Sequence, residues 1–335
     1  MKRFLRLNSF LLGLGACVFL AWLRPALGGT ESPLPIARLK LLGVFVIFFN
    51  QGVLIPTDEL KSGLSNWPLH LCVTLNTYLF IPLLILAGFL ITANLGIPLE
   101  LREGFLFLSI LPGTIAASVA FTSLARGHVA GALFNSTLSS LLGVWIVPIA
   151  SLAYIEHRAG TGQEIDVLPL YLNIGRTILL PLAAGQLARP VLGGLFGTYR
   201  NGIRRLNTGI ILFMVWSAFA DSFLRGVWGG LHPGLFVGIL TACGAVQLIS
   251  GLWIWTLTRW IGLSPACRIT AVFCGCHKSL AMGIPLSAMI FDGLPSAPDL
   301  GLFLLPLLVY HPLQLILSGW LAPRLQAFVE AQAER

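Results

Sequence analysis

A lysine stands in the middle of a long apolar run in the last third of the chain. The stretch is FCGCHKSLAMGIP, from Phe273 to Pro285, and it contains no carboxylate beside Lys278. A charge inside a membrane segment is costly, so such a residue indicates a functional site by default. Lys278 would begin the second half of a broken helix, and the N-terminal end of a helix offers a lysine no favourable dipole partner. The lysine can replace a bound cation, in which case we expect Ser118, Asn135, Ser136 and unwound carbonyls to hold its ammonium. It can also exchange a proton if burial favours its neutral form, pair with an anionic solute, or reach the membrane surface as a packing residue.

The thiols and the imidazole next to this lysine suggest two other kinds of chemistry. Cys274, Cys276 and His277 form a C-x-C-H pattern of soft metal ligands. A structural site normally needs four ligands, and no fourth ligand is evident, so we expect packed thiols and no metal. An enzyme that used Cys276 and His277 would need a third, orienting group. Because none is apparent, we expect no enzymatic activity.

Small polar residues in other apolar runs complete the candidate site. On the fourth run, Ser118 and Thr122 are four residues apart and share a helix face. The fifth run carries a polar patch formed by Asn135, Ser136, Ser139 and Ser140. Such residues often only join helices in membranes, and we expect that role for Thr122, Ser139 and Ser140. We place Asn135 and Ser136 in the site, because the fifth run should pack against the fourth.

The composition predicts that these residues lie in a membrane protein. Of the 335 residues, 56% are hydrophobic and only 10% are charged, and the mean hydropathy is +0.86. A soluble domain carries about 25% charged residues. Ten apolar runs are present, at 7–23, 40–55, 70–92, 105–124, 129–155, 167–187, 206–223, 235–257, 269–290 and 302–321. Most can cross a bilayer as helices of ~20 residues, in which the backbone satisfies its own polar groups.

Basic residues predict how the ten spans are oriented. In a ten-span topology, lysine and arginine are more frequent in the loops that share a membrane side with the N-terminus. Such loops are usually cytoplasmic, so we expect both termini in the cytoplasm and the protein in the inner membrane. The first run also has the pattern of a signal peptide, whose removal would leave nine spans. The basic residues are scattered over short loops and no phosphate-binding motif occurs, so we expect neither nucleic acid nor nucleotide as a partner.

Two spans contain residues that interrupt a helix. Span four has Pro112-Gly113 in mid-run, and span nine has Gly275 before the lysine and Gly283-Ile284-Pro285 after it. Each is the fourth of five, which predicts two inverted five-helix repeats over 7–155 and 167–321. We predict unwound centres at 112–116 and 275–279. The chain is then one transporter domain, 1–323, with a cytoplasmic tail at 324–335.

Four stretches resemble the bile acid:sodium symporter family. They are FFNQGVLIPTDELKSGL (48–64), LARGHVAGALFNSTLSSLLG (124–143), WSAFADSF (216–223) and CGCHKSLAMGIPL (274–286). The resemblance covers nearly the whole chain. It is nearest to the branch of the seventh member of vertebrate solute carrier family ten and its bacterial relatives.

The resemblance implies an all-α fold with a moving core and panel. Spans three to five and eight to ten would form the core, spans one, two, six and seven the panel, and the broken helices four and nine would cross beside two sodium ions. Ser118 and Ser136 keep hydroxyls where sodium-coupled relatives have ligands. The other matching positions differ: Val119 for Asn, Ala132 for Ser, Thr77 and His277 for Gln, Phe273 for the shared Glu, and Lys278 for Asn.

We therefore expect a secondary active transporter of a small organic, anionic solute, with weak or absent sodium coupling. The predicted site comprises Thr77, Ser118, Asn135, Ser136, Cys276, His277, Lys278 and Ser279, with Asn50 on the panel side. No cofactor is expected, and sodium or a proton is the candidate coupling ion. A membrane regulator that keeps the fold but moves nothing is the alternative, because a fold does not fix a function.

Overall fold

The structure is a computed structural model that describes residues 2–29, 32–54, 66–159, 167–230, 232, 234–291 and 297–333. Every regular element in these ranges is helical. The α-helices are α1 Lys2–Leu23, α2 Pro25–Gly28, α3 Ile36–Leu54, α4 Trp67–Leu75, α5 Ile81–Ile91, α6 Leu99–Ile110, α7 Ile115–Leu124, α8 Val129–Ala159, α9 Val167–Thr198, α10 Arg200–Leu224, α11 Gly234–Trp260, α12 Pro265–Cys276, α13 Leu280–Phe291 and α14 Leu300–Ala333. A π-helical segment, Asn76–Phe80, joins α4 to α5, and a 3₁₀ turn, Val227–Gly230, follows α10.

Most of these helices are long and apolar enough to cross a membrane. Among the described residues there are eight such spans, or nine if α6 and α7, which meet at a bend of 62°, count as one. The apolar part of α1, Leu12–Leu23, is shorter than the others. The prediction of an all-helical polytopic membrane protein is thereby confirmed. The predicted linker Glu156–Asp166 is helical up to Ala159, and its remainder lies outside the described residues.

Both predicted helix breaks are present. The first covers 111–114, where Leu111 and Thr114 have extended backbones (ψ 145° and 131°). Pro112 explains it, because a residue before proline is pushed out of the helical region. The second covers 277–279 and begins with an extended His277 (ψ 144°). Our sequence explanation of this second break was partly wrong, since Gly283 and Pro285 lie inside the continuous helix α13.

The chain divides into two compact units. Unit one comprises 1–55, 148–232 and 281–304, and unit two comprises 56–147, 233–280 and 305–335. Unit one contains the four predicted panel spans, but it also contains 148–155 and 281–304, which the resemblance assigned to the core. The boundaries inside spans five, nine and ten therefore differ from that assignment.

Unit one is held by a close approach of two helices. Gly52 of α3 faces the carbonyl of Leu182, and Gly185 of α9 faces the carbonyl of Phe49. A side chain at either glycine would collide with the opposite backbone. Small residues allow such contact between membrane helices, where packing rather than hydrophobicity drives association.

Candidate functional site

The side chain of Lys278 is fully buried, at 0% exposure, and its ammonium contacts three backbone carbonyls of unit two. Nζ donates to the oxygens of Thr77 at 3.0 Å, Ser109 at 2.6 Å and Leu111 at 2.9 Å. An ammonium has three N–H donors, so all three are used. A neutral amine has only two N–H groups and would leave one carbonyl without a donor. The geometry matches the charged form.

Two of these carbonyls, those of Thr77 and Ser109, lack the amide that would satisfy them in a regular helix. In the π-helical segment, the amide of Ile81 bonds to the carbonyl of Asn76, five residues back. The next carbonyl, Thr77, would bond in the same way to residue 82, which is a proline without an N–H. At the other helix, Ser109 lies in the last turn of α6, and the amide of Gly113 that could reach it donates instead to Ser139 Oγ at 2.9 Å.

The position of the ammonium is also favourable for the helix dipole. Ser109 and Leu111 lie at the C-terminal end of α6, where unpaired carbonyls give a negative partial charge. From the sequence we considered only the N-terminal end of the second half-helix, at which a lysine has no dipole partner. The partner is supplied by the other broken helix. The expected contacts of the ammonium with Ser118, Asn135 and Ser136 are not formed.

The unwound backbone around Lys278 is satisfied by α14. Gln314 accepts from the amide of Lys278 at 2.8 Å and donates to its carbonyl at 3.0 Å, so one side-chain amide replaces a helical neighbour on both sides. Tyr310 donates its hydroxyl to the carbonyl of Cys276 at 2.8 Å. Ser279 donates its amide to the carbonyl of Pro112 at 2.8 Å, which links the two breaks directly. Non-helical backbone in a membrane requires such partners.

His277 lies beside the lysine and is held from both ring nitrogens. Nδ1 is 3.1 Å from Ser118 Oγ and Nε2 is 2.7 Å from Ser318 Oγ. Ser118 donates its single proton to the carbonyl of Phe273 at 3.2 Å. With that proton committed, Nδ1 donates to Ser118. The ring therefore joins α7, the end of α12 and α14 through hydrogen bonds from both nitrogens.

The π-helical segment places two side chains beside the second break: Thr77, a predicted site residue, and its neighbour Asn76. Thr77 donates its hydroxyl to the carbonyl of Gly275 at 3.4 Å, and Asn76 donates to that carbonyl at 3.0 Å. Cys276 Sγ lies 3.5 Å from Ser250 Oγ. The structure thus brings Thr77, Cys276 and the residues of the break into one polar cluster in unit two.

Other predicted site residues lie elsewhere. Asn135 donates to the carbonyl of Gly131 in its own helix at 2.8 Å, and its buried Oδ1 has no partner. Ser136 Oγ is 3.8 Å from Cys274 Sγ. Asn50 is part of unit one, where its amide donates to Asn207 Oδ1 at 2.7 Å. None of these three residues contacts the ammonium.

The two thiols of the C-x-C-H pattern have different surroundings. Cys274 Sγ lies 3.7 Å from the carbonyl of Ala132, whereas Cys276 Sγ lies beside Ser250. Within the described residues, no group of three His, Cys, Asp or Glu side chains is placed to hold a metal ion. All six cysteines are free.

Sequence reasoning missed Gln314, Tyr310 and Tyr78 and gave Ser139 the wrong role. Gln314 and Tyr310 hold the second break, and Ser139, which we expected only to pack helices, holds the first break through Gly113. Tyr78 reinforces Ser139 by donating its hydroxyl to the Ser139 carbonyl at 2.5 Å. A signal for Gln314 was available, because it is an amide in the middle of an apolar run.

A helical membrane domain in which two interrupted helices meet at a buried cation has the organisation of a secondary transporter. The chain belongs to the SBF-like CPA transporter family, whose sequence profile matches residues 8–327. The resemblance to bile acid:sodium symporters is confirmed by this match and by relatives at the full length of the chain.

Three relatives illustrate the range of similarity. The chain is 34% identical to protein PA2026 of Pseudomonas aeruginosa over 317 residues, covering 95% of this chain and 92% of that protein. It is 33% identical to YfeH of Escherichia coli K12 over 346 residues, covering 100% of both. It is 28% identical to sodium/bile acid cotransporter 7 of Xenopus tropicalis over 328 residues, covering 97% and 93%.

Proposed function

We propose that this protein is a secondary transporter that moves a small organic anion by alternating access and carries its own cation in place of sodium. The observation that supports this most strongly is the ammonium of Lys278 on three carbonyls. Sodium prefers oxygen ligands, as hard cations do. The ammonium of Lys278 already binds three carbonyl oxygens of this kind. It supplies the charge that a bound ion would bring, and it does so without ion coupling.

The sequence around the cation supports an anionic solute. Neither break, 111–114 or 277–279, contains a carboxylate, and the position of the family's shared glutamate is occupied by buried Phe273. A fixed positive charge in a site of low dielectric raises the local concentration of anions. Because all three N–H groups of Lys278 are occupied, the charge acts through its field in this conformation and not by direct hydrogen bonding.

We further propose ten spans in two inverted repeats, with spans four and nine crossing. The protein would lie in the inner membrane with both termini in the cytoplasm. The bent pair α6–α7, the second break after α12 and the backbone bond from Ser279 to Pro112 support this arrangement. The eight long spans, the bent pair and α1 would together make the ten.

Uptake into proteoliposomes tests the proposal. A panel of labelled organic anions is presented with an inward sodium gradient or with choline replacing sodium. We expect saturable uptake of at least one anion at equal rates in both media, and its loss in Lys278→Gln, which removes the charge. Uptake that requires the sodium gradient contradicts the built-in cation. A folded protein that transports no anion from a broad panel favours the non-transporting regulator.

A further inference from the structure

Unit two has an apolar groove that the transport site does not use. Its volume is about 320 Å³, which lies within the ~300–1,000 Å³ of typical ligand pockets. Helices α5, α6 and α11 form its walls. The lining residues that define it are Phe89, Thr92, Arg102, Gly238, Ala242 and Ala245.

Missing side chains create this groove. A Cβ atom placed on Gly88 of α5 or on Gly238 of α11 would meet no atom within 4 Å. Ala242 and Ala245 continue the small face of α11 along the same wall. Protein interiors are normally close-packed, so an unfilled recess of this size between three helices needs an occupant.

One end of the groove carries a cation. Arg102 donates from Nη2 to the carbonyl of Phe89 at 2.5 Å, and its guanidinium lies 4.1 Å from the centre of the Phe89 ring. Its Nε is buried without a hydrogen-bond partner. Among the described residues, Arg102 forms no ion pair with a carboxylate. The positive charge is therefore available to an anion at this end.

The surroundings show where an occupant comes from. Exposed apolar side chains flank the groove on two of its helices, and they are Leu83, Leu86 and Leu90 on α5 and Val237, Leu240 and Leu248 on α11. Such a surface faces the hydrocarbon of the bilayer. Arg102 lies near the start of α6, just after the short connection 92–98 that ends the third span. That is the depth of lipid headgroups.

We propose that this groove binds an anionic phospholipid, with an acyl chain along α5 and α11 and the phosphate at Arg102. The assignment does not depend on the transport proposal. A hydrocarbon chain matches the apolar walls, and a basic residue between membrane helices suits an anionic headgroup. A water-soluble solute has no polar lining to recognise it apart from Arg102 and Thr92.

Native mass spectrometry of the detergent-purified protein tests this. Phosphatidylglycerol and phosphatidylcholine with the same acyl chains are added separately, and the lipid-bound fraction is measured. Gly238→Leu fills the groove without a clash at Cβ, and Gly194→Leu is the matched control, since a Cβ there also meets no atom within 4 Å but lies outside the groove. Thermal melting confirms that each variant is folded, and Ala242→Leu replaces Gly238→Leu if it is not.

We expect the wild type to retain phosphatidylglycerol more than phosphatidylcholine. Gly238→Leu should lose both lipids, whereas Gly194→Leu should bind like the wild type. Arg102→Gln should weaken phosphatidylglycerol binding about fivefold, as expected for one surface charge, and Arg102→Lys should restore most of it. Equal binding of the two lipids by the wild type, or unchanged binding in Gly238→Leu, would overturn the proposal. It is equally wrong if Gly238→Leu keeps its lipid but loses solute transport, because the groove would then be a solute site.

Discussion

At Lys278, the cost of burying a charge is offset by acceptors that would otherwise be unsatisfied. A backbone carbonyl buried without a partner costs about 1–3 kcal/mol, and the ammonium satisfies three of them. The lysine and the prolines at 82 and 112 therefore depend on one another. The prolines free the carbonyls, and the lysine makes the resulting defects tolerable inside a membrane.

Gln314 has a comparable role at the backbone of Lys278, and this gives a test at the scale of one residue. Gln314→Leu keeps the approximate volume but leaves the amide and the carbonyl of Lys278 without their side-chain partners. We expect a loss of about 2–5 kcal/mol in unfolding free energy, because two buried polar groups lose their bonds. Thermal unfolding in detergent measures it.

Gln326→Leu is the control, because the side chain of Gln326 donates to Glu330 Oε1 at 3.0 Å near the C-terminal end of the same helix, away from the break. It should change stability by no more than about 0.5 kcal/mol. Equal losses in the two variants would show that Gln314 does not hold the break.

The breaks in the helices depend on close packing against unbroken neighbours. Pro112 lies against Gly143 of α8, where an added Cβ would be 2.7 Å from Pro112 Cγ. The first break therefore packs directly against a glycine. Ser139, one turn earlier on the same helix, accepts a hydrogen bond from the amide of Gly113 in the break at 2.9 Å.

Gly143→Ala tests this contact between α8 and Pro112. We expect a destabilisation of about 1–3 kcal/mol, the usual cost of overpacking, together with impaired transport, because Pro112 must move. Gly194→Ala is the control, since a Cβ there meets nothing within 4 Å. Alanine has the higher helix propensity, so this variant should gain about 0.5–1 kcal/mol in unfolding free energy. If Gly143→Ala melts at or above the wild-type temperature, the break does not depend on close packing of Pro112 against this glycine.

The sequence predicted the existence of both breaks but not what holds them. Pro112 is a local signal with a local effect, so the first break could be placed to within two residues. The second has no proline in it, and Pro285, which we considered a cause, is accommodated inside α13. Its support comes from Gln314 and Tyr310, which are distant in sequence.

We expected unwound carbonyls among the partners of Lys278, but the sequence did not predict which residues supply them. Every residue carries a main-chain carbonyl, and only the combined effect of a π-helical segment, two prolines and a third helix makes these three available. The expected hydroxyl and amide partners Ser118, Asn135 and Ser136 were chosen because side chains are visible in a sequence. Of these, Ser118 does lie next to the site, through His277.

For the whole molecule, we propose that a covalently attached cation takes the place of an exchangeable ion. A transporter of this kind is driven by the gradient of its solute or by a coupling other than sodium. The proposal agrees with the apolar residues Phe273, Val119 and Ala132, which stand where the family resemblance implies polar ion ligands.

The most direct measurement is the effect of sodium on the melting temperature of the wild type and of Lys278→Ala, in sodium chloride against an equal concentration of choline chloride. Size-exclusion chromatography first confirms that both proteins are folded. A ligand that binds only the folded state raises its stability by mass action. We predict no difference between the salts for the wild type and a higher melting temperature in sodium for Lys278→Ala, whose three carbonyls are open to the ion. Sodium stabilisation of the wild type, or none in the folded variant, would contradict the claim that Lys278 occupies the place of a cation.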